Sequence, residues 1–138
     1  MEIKIVKLEE HGDDRGTLIA LEQMINVPFE IKRVYYMYNA VPGVRRGFHA
    51  HKQLKQILVC VKGSCKILLD DGTEKVEVCL DEPNKGLIIE SHLWREMFDF
   101  SDDAVLMVLA SELYDEADYI RNYEEFIEYV KENQKNEC

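Results

Sequence analysis

Residues 46–63 read RGFHAHKQLKQILVCVKG, and two histidines within them, His49 and His51, stand one residue apart. Side chains two apart on a β-strand share a face, so both imidazoles point the same way. Gln53 would join them if the strand continued regularly. A lone histidine on a strand is usually packed into a core; two on one face, beside Arg46 and Gly47, point to chemistry instead. Imidazole titrates near pH 6.5, so it both gives and takes protons under ordinary conditions. The pair could hold a metal ion, or one ring could take a proton while the other delivers one.

Several short strands must hold this pair. LIALEQM (18–24) follows a D-D-R-G turn, and EIKRVYYMYN (30–39) follows Pro28 with aromatic and β-branched residues. KQILVCVKG (55–63) and SCKILLD (64–70) flank Gly63, and Asp71-Gly72 offers a tight turn into TEKVEVCL (73–80). KGLIIES (85–91) and AVLMVLAS (104–111) complete a set that predicts an all-β sandwich or barrel. The end of the chain differs. Asn122 with Glu125 has the form of a capping box, and Tyr123, Phe126, Ile127 and Val130 fall at helical spacing. One amphipathic helix should close the chain against the β domain.

Length and charge narrow the functions. The 138 residues predict one domain, 1–138, large enough to bury a core. A net charge of −10 argues against a broad nucleic-acid surface, although Arg15, Arg33, Arg45 and Arg46 could gather around a small anion. A single arginine among these would ordinarily be a solvated surface charge. No run of about twenty apolar residues predicts a membrane span, and MEIKIVKLEEHGDD lacks a secretory apolar core. Cys60, Cys65, Cys79 and Cys138 follow neither C-x-x-C spacing nor a dense framework, which fits reduced thiols in a cytoplasm.

The span G-F-H-A-H-x4-Q-x6-G resembles the first motif of the cupin superfamily, H-x-H-x4-E-x6-G, through Gly47, His49, His51, Gln56 and Gly63. The resemblance implies a cupin fold: a jelly-roll, or double-stranded β-helix, barrel carrying the C-terminal helix. In metal-binding cupins the glutamate joins the histidines in the metal shell; here it is Gln56. The position expected for a later histidine ligand falls near Trp94 and Arg95, with His92 slightly out of step. Divalent transition metals prefer neutral imidazoles with an anionic or soft ligand. An amide replaces a carboxylate poorly, and a fixed guanidinium repels a cation. These residues predict no metal and no cofactor; a site built from His49, His51 and His92 is the alternative.

Longer motifs extend the resemblance over nearly the whole chain. D-x-R-G, P-F-x-I-K-R-V-Y-Y, R-G-F-H-A-H-K, L-x-Q-x-L-V-C-x-x-G-S-C, W-x-E-M-x-D-F and L-A-S-x-x-Y-D-E-x-D-Y-I-R-x-Y resemble, in order, the sugar nucleotide 3,4-ketoisomerases. The resemblance implies conversion of dTDP-4-keto-6-deoxyglucose to a dTDP-3-keto-6-deoxyhexose, which an aminotransferase then uses in deoxysugar biosynthesis. It implies His49 as the base that takes the C3 proton and His51 as a shuttle between the C3 and C4 oxygens. It also implies Arg15, Arg33 and Arg46 as contacts for pyrophosphate or sugar oxygens, with Tyr35, Gln56 and Arg95 lining the same site. Alternation puts Arg33 and Tyr35 on one face and Tyr36 on the other. Within the family, an arginine at the first motif is associated with a galacto product and one after the tryptophan with a gluco product; this chain has both Arg15 and Arg95. Relatives imply a homodimer that exchanges an N-terminal strand. Two other functions are compatible with the motifs: a dTDP-sugar 3,5-epimerase, which carries a similar R-G-L-H base segment, and a cupin that binds a sugar nucleotide without turning it over.

Overall fold

The computed structural model describes residues 1–136; Cys138 lies outside the described residues. Twelve strands and one long helix follow in order: β1 (Lys4–Lys7), β2 (His11–Asp13), β3 (Gly16–Leu18), β4 (Arg33–Met37), β5 (Arg46–His51), β6 (Gln56–Lys62), β7 (Cys65–Asp70), β8 (Lys75–Leu80), β9 (Lys85–Ile89), β10 (Trp94–Phe98), β11 (Val105–Ala110), β12 (Tyr119–Ile120) and α1 (Tyr123–Asn136). One sheet runs β1-β9-β6-β11-β4 and the other β12-β5-β10-β7-β8, with antiparallel pairing throughout. The inward faces interdigitate. Leu58 and Cys60 of β6, Ile67 and Leu69 of β7, Leu87 and Ile89 of β9, and Leu106 and Val108 of β11 form the main core. This is the all-β cupin barrel with a C-terminal helix that the motifs imply.

The helix begins as its cap residue predicts. The Asn122 side-chain oxygen accepts from the Glu125 backbone N–H at 3.0 Å. Phe126 is fully buried with Ala50, Trp94 and Ile120, so α1 covers the outer face of β5 and β10. The strand expected over 18–24 does not form beyond Leu18. Asn26 folds back instead, accepting from Glu22 N–H at 2.7 Å and donating to the Ala20 carbonyl at 2.8 Å. Its polar side chain supplies a turn that outcompetes a ladder, and Val27 and Phe29 then bury against Leu8, Ile57 and Leu109. Four strands escape sequence patterning: β1, which is short and lysine-bounded, β2 and β12, which are only three and two residues long, and β10, where Arg95 and Glu96 interrupt the apolar run. Cys60 and Cys65 are buried free thiols on the consecutive strands β6 and β7, which lie in opposite sheets, and Cys79 is an exposed free thiol. Among the described residues no helix is long and apolar enough to cross a membrane.

Candidate active site

The site is built at one mouth of the barrel by β4, β5, β6, β10 and β12. His49 and His51 project from β5 into the interior, with ring centroids 4.9 Å apart and planes nearly perpendicular at 87°. His51 is fully buried. Tyr119 of β12, paired in register with His51, packs its ring 4.3 Å from His51 and 5.0 Å from His49. The strand ends at His51, so Gln53 leaves the shared face and stands exposed.

A bulge in β5 changes the phase of this strand. Arg95 of β10 pairs with His49, but Glu96 pairs with Gly47 and Met97 with Arg46, so Phe48 is the extra residue. Gly47 has φ +94°, and a Cβ there would stand 2.9 Å from the Arg95 carbonyl oxygen. Phe48 also takes a left-handed conformation, φ 58°, a local strain of about 1 kcal/mol or more. Directly opposed residues of an antiparallel pair share a face. The register therefore sets Arg46, opposite the buried Met97, on the interior face at the open end of β5, with its side chain exposed, where simple alternation from His49 would have turned it outward.

Behind the histidines lies a chain of polar contacts. Arg95 Nη1 donates to Gln56 Oε1 at 2.6 Å, Arg95 Nη2 donates to the Leu93 carbonyl at 2.8 Å, and Gln56 Nε2 donates to the Tyr35 hydroxyl at 3.0 Å. Arg33 stands beside them, its guanidinium 5.2 Å from the Tyr35 ring and 5.7 Å from that of Tyr114. Burial lowers the Arg95 pKa to about 10, which still leaves a cation at neutral pH. Burial, reinforced by that cation, pushes His49 down to about 4 and His51 to about 2, so both rings are neutral. Burial also raises the Tyr35 phenol.

The donor set does not fit a divalent metal. The oxygen that would replace a carboxylate ligand is already bonded to a guanidinium, and a buried cation stands opposite His49. His92 does not turn toward the pair: its Nε2 lies 3.0 Å from the Lys52 carbonyl and 3.3 Å from the Tyr129 hydroxyl, on the helix side. Among the described residues, no three His, Cys, Asp or Glu side chains gather at metal-binding distance.

Of the residues singled out by sequence, Arg33, Tyr35, His49, His51, Gln56 and Arg95 meet in this interior, with Arg46 at its mouth. Tyr36 points away and is exposed, as alternation predicts. Arg15 is not brought in: it caps the β2–β3 hairpin, its side chain is 87% exposed, and its Nε donates to Asp13 at 3.0 Å. Arg45 also turns away, bonding Glu96 at 2.7 Å across the Phe98 ring. Two residues that sequence reasoning did not single out belong to the site, Asp118 and Tyr119. Both lie in the D-E-x-D-Y-I-R stretch, the one signal that could have found them.

Comparison with known proteins identifies the family. The FdtA family profile (WxcM-like, C-terminal) matches residues 1–131. A TDP-4-oxo-6-deoxy-alpha-D-glucose-3,4-oxoisomerase from Aneurinibacillus thermoaerophilus is 51% identical over 130 residues, covering 94% of each chain. The TDP-quinovose 3,4-ketoisomerase WlaRB from Campylobacter jejuni superposes with a TM-score of 0.88 at 52% identity, covering 91% of this chain and 97% of that one. A histidine-to-asparagine variant of the 3,4-ketoisomerase QdtA from Thermoanaerobacterium thermosaccharolyticum, solved with TDP-4-keto-6-deoxyglucose, gives a TM-score of 0.92 at 45% identity, covering 94% of each chain. The chain belongs to the FdtA family, and with it to the TDP-sugar 3,4-ketoisomerases.

Proposed function

We propose that the chain converts dTDP-4-keto-6-deoxyglucose to a dTDP-3-keto-6-deoxyhexose by metal-free acid–base catalysis through an enediol(ate). His49 takes the C3 proton, and the electrons left behind form the C3–C4 double bond as negative charge reaches the C4 oxygen. His51 takes the C3 hydroxyl proton and delivers one to the C4 oxygen. The proton on His49 exchanges with solvent, and His49 then protonates C4, leaving a ketone at C3 and a hydroxyl at C4. The Arg95 cation steadies the oxyanion while it exists, and Arg33 and Arg46 hold the pyrophosphate.

One observation carries this reading. Among the described residues, every buried side-chain nitrogen without a hydrogen-bond partner belongs to Arg33, His49, His51 or Arg95. Buried polar groups are nearly always paired. Their concentration in one interior, with two neutral bases and two cations, fits an anionic, oxygen-rich ligand. The same arrangement favours chemistry over binding alone, because both imidazoles are neutral and keep a lone pair free, and an anionic ligand beside them raises their affinity for a proton.

A homodimer with exchanged N-terminal strands belongs to the same proposal. β4 is an edge strand whose outer face exposes Val34 and Tyr36. Exchange would cover that edge and would carry Arg15, far from its own site, to the partner's. The product would pass to an aminotransferase, all in the cytoplasm. NMR of dTDP-4-keto-6-deoxyglucose with the purified protein in D2O tests the reaction. The ketone should move from C4 to C3 with solvent deuterium entering at C4. A C4 ketone with an inverted neighbouring centre would make the chain an epimerase, and a bound but unchanged sugar would make it a binding protein.

A further inference from the structure

One carboxylate outside the residues assigned so far reaches the histidine pair. Asp118 ends the short 3-10 turn Glu116–Asp118, and its Oδ2 lies 3.0 Å from His51 Nδ1. Its side chain is 12% exposed and that of His51 0%. The turn holding Asp118 is itself fixed. The Asp115 carboxylate accepts from the Ala117 N–H at 3.0 Å, and its carbonyl accepts from the Asp118 N–H at 3.0 Å. The strand that follows then pairs Tyr119 with His51.

The Asp118 carboxylate also accepts from the backbone N–H groups of Gln53 at 2.7 Å and Leu54 at 3.3 Å, while its carbonyl accepts from Lys52 N–H at 3.0 Å. Residues 51–54 thus hang on one aspartate across 64 to 67 positions of sequence.

A carboxylate only accepts, so the ring nitrogen facing it must carry the hydrogen. A neutral imidazole then has its other nitrogen, Nε2, bare. That Nε2 is buried and without a partner among the described residues. Tyr119 and His49 flank the ring, which leaves Nε2 as its working atom.

We propose that Asp118 is a positioning residue for the isomerisation: it fixes His51 as the Nδ1–H tautomer with Nε2 open to the sugar, and it steadies the imidazolium formed in transit. This rests on the reading of His51 as the shuttle. The step balances within the site. The O3–H bond breaks as Nε2–H forms, Nε2–H breaks as O4–H forms, and His51 ends as it began. Asp118 itself carries no proton.

The test is Asp118→Asn. Asparagine keeps the size and can still accept from Gln53 N–H, but its amide N–H groups, in place of Oδ2, would donate to His51 Nδ1 and move the ring hydrogen to Nε2. In the wild type, long-range 15N–1H NMR should show His51 as Nδ1–H. In the variant it should show Nε2–H, with kcat lower by at least about tenfold and affinity for TDP changed less than about twofold. An Nε2–H tautomer in the wild type would overturn the inference without any variant. So would a variant that turns over at the native rate, or one that loses TDP binding along with activity, which would make Asp118 structural. A wild-type chain that moves no ketone overturns the reading of the whole site, a result that these outcomes do not imitate.

Discussion

Arg95 donates to the side-chain oxygen of Gln56 at 2.6 Å, and both residues are buried. The pair joins the position of a cupin's carboxylate ligand to a fixed cation. A neutral amide accepts from one arm of the guanidinium without cancelling its charge, so the interior keeps a positive field for the enediolate. The pair also predicts indifference to metal. Protein treated with a strong chelator and desalted should isomerise at the native rate, with elemental analysis showing no stoichiometric zinc or iron. Activity lost on chelation and regained with a divalent metal would defeat this.

Arg33 has Nε and Nη2 buried without partners, and Arg46 stands at the mouth on the interior side. If they hold the pyrophosphate, Arg33→Ala and Arg46→Ala should each weaken TDP binding by about 1.5–3 kcal/mol, the range for hydrogen bonds to charged groups. Isothermal titration measures this. Native affinity in both variants would remove the two arginines from the nucleotide's binding site.

The two histidines should fail differently. His49→Asn should lower C3 proton exchange by at least about 10²-fold, the lower range for a positioned base. His51→Asn should block ketone transfer while His49 still exchanges the C3 proton with solvent. Incubation in D2O separates them: no label with the first variant, and label without isomerisation with the second. Exchange at the native rate in His49→Asn would place the base elsewhere.

The depressed histidine pKa values set a pH response. A base titrating near 6.5 would lose about 25-fold of its active form between pH 7 and 5. His49, held down to about 4 by burial and Arg95, should keep kcat/KM nearly flat over that range. Stability should move the other way. Between pH 6.5 and about 4 for His49, and about 2 for His51, the unfolded chain binds protons that the folded chain refuses. Each ring therefore removes up to ~1.4 kcal/mol per unit as pH falls below 6.5. Denaturant unfolding at pH 7 and 5 should show a smaller acid loss in the His49→Asn, His51→Asn double variant than in the wild type. Equal losses would mean that the rings are not held neutral.

The sequence made most strands legible because alternating apolar residues mark half-buried ladders, and the helix legible because Asn122 marks its start. It misled at 18–24, where a polar Asn26 seven residues before Arg33 turns an apolar run into a packed loop. It hid β10 because a site strand carries Arg95 and Glu96 where a core strand would carry apolar residues. The histidine pair was visible because both members lie on one strand. Asp118 was not, because its link to His51 is made only when β12 closes on β5, and no local pattern encodes a contact between residues so far apart. Arg46 was named for its type, but its direction depends on the bulge at Phe48, which periodicity alone cannot register.

That bulge bears on how this chain could be improved or eroded. Replacing Gly47 by a residue that favours extended backbone, so that Phe48 takes a regular place in the ladder, would give a more regular strand of the kind that stabilising design and consensus choice reward. The same change would turn Arg46 away from the barrel while leaving both histidines in place. The tidier protein would keep its bases and lose its grip on the substrate's charge. Selection for thermostability alone should therefore push against this irregularity, and selection for turnover should hold it in place.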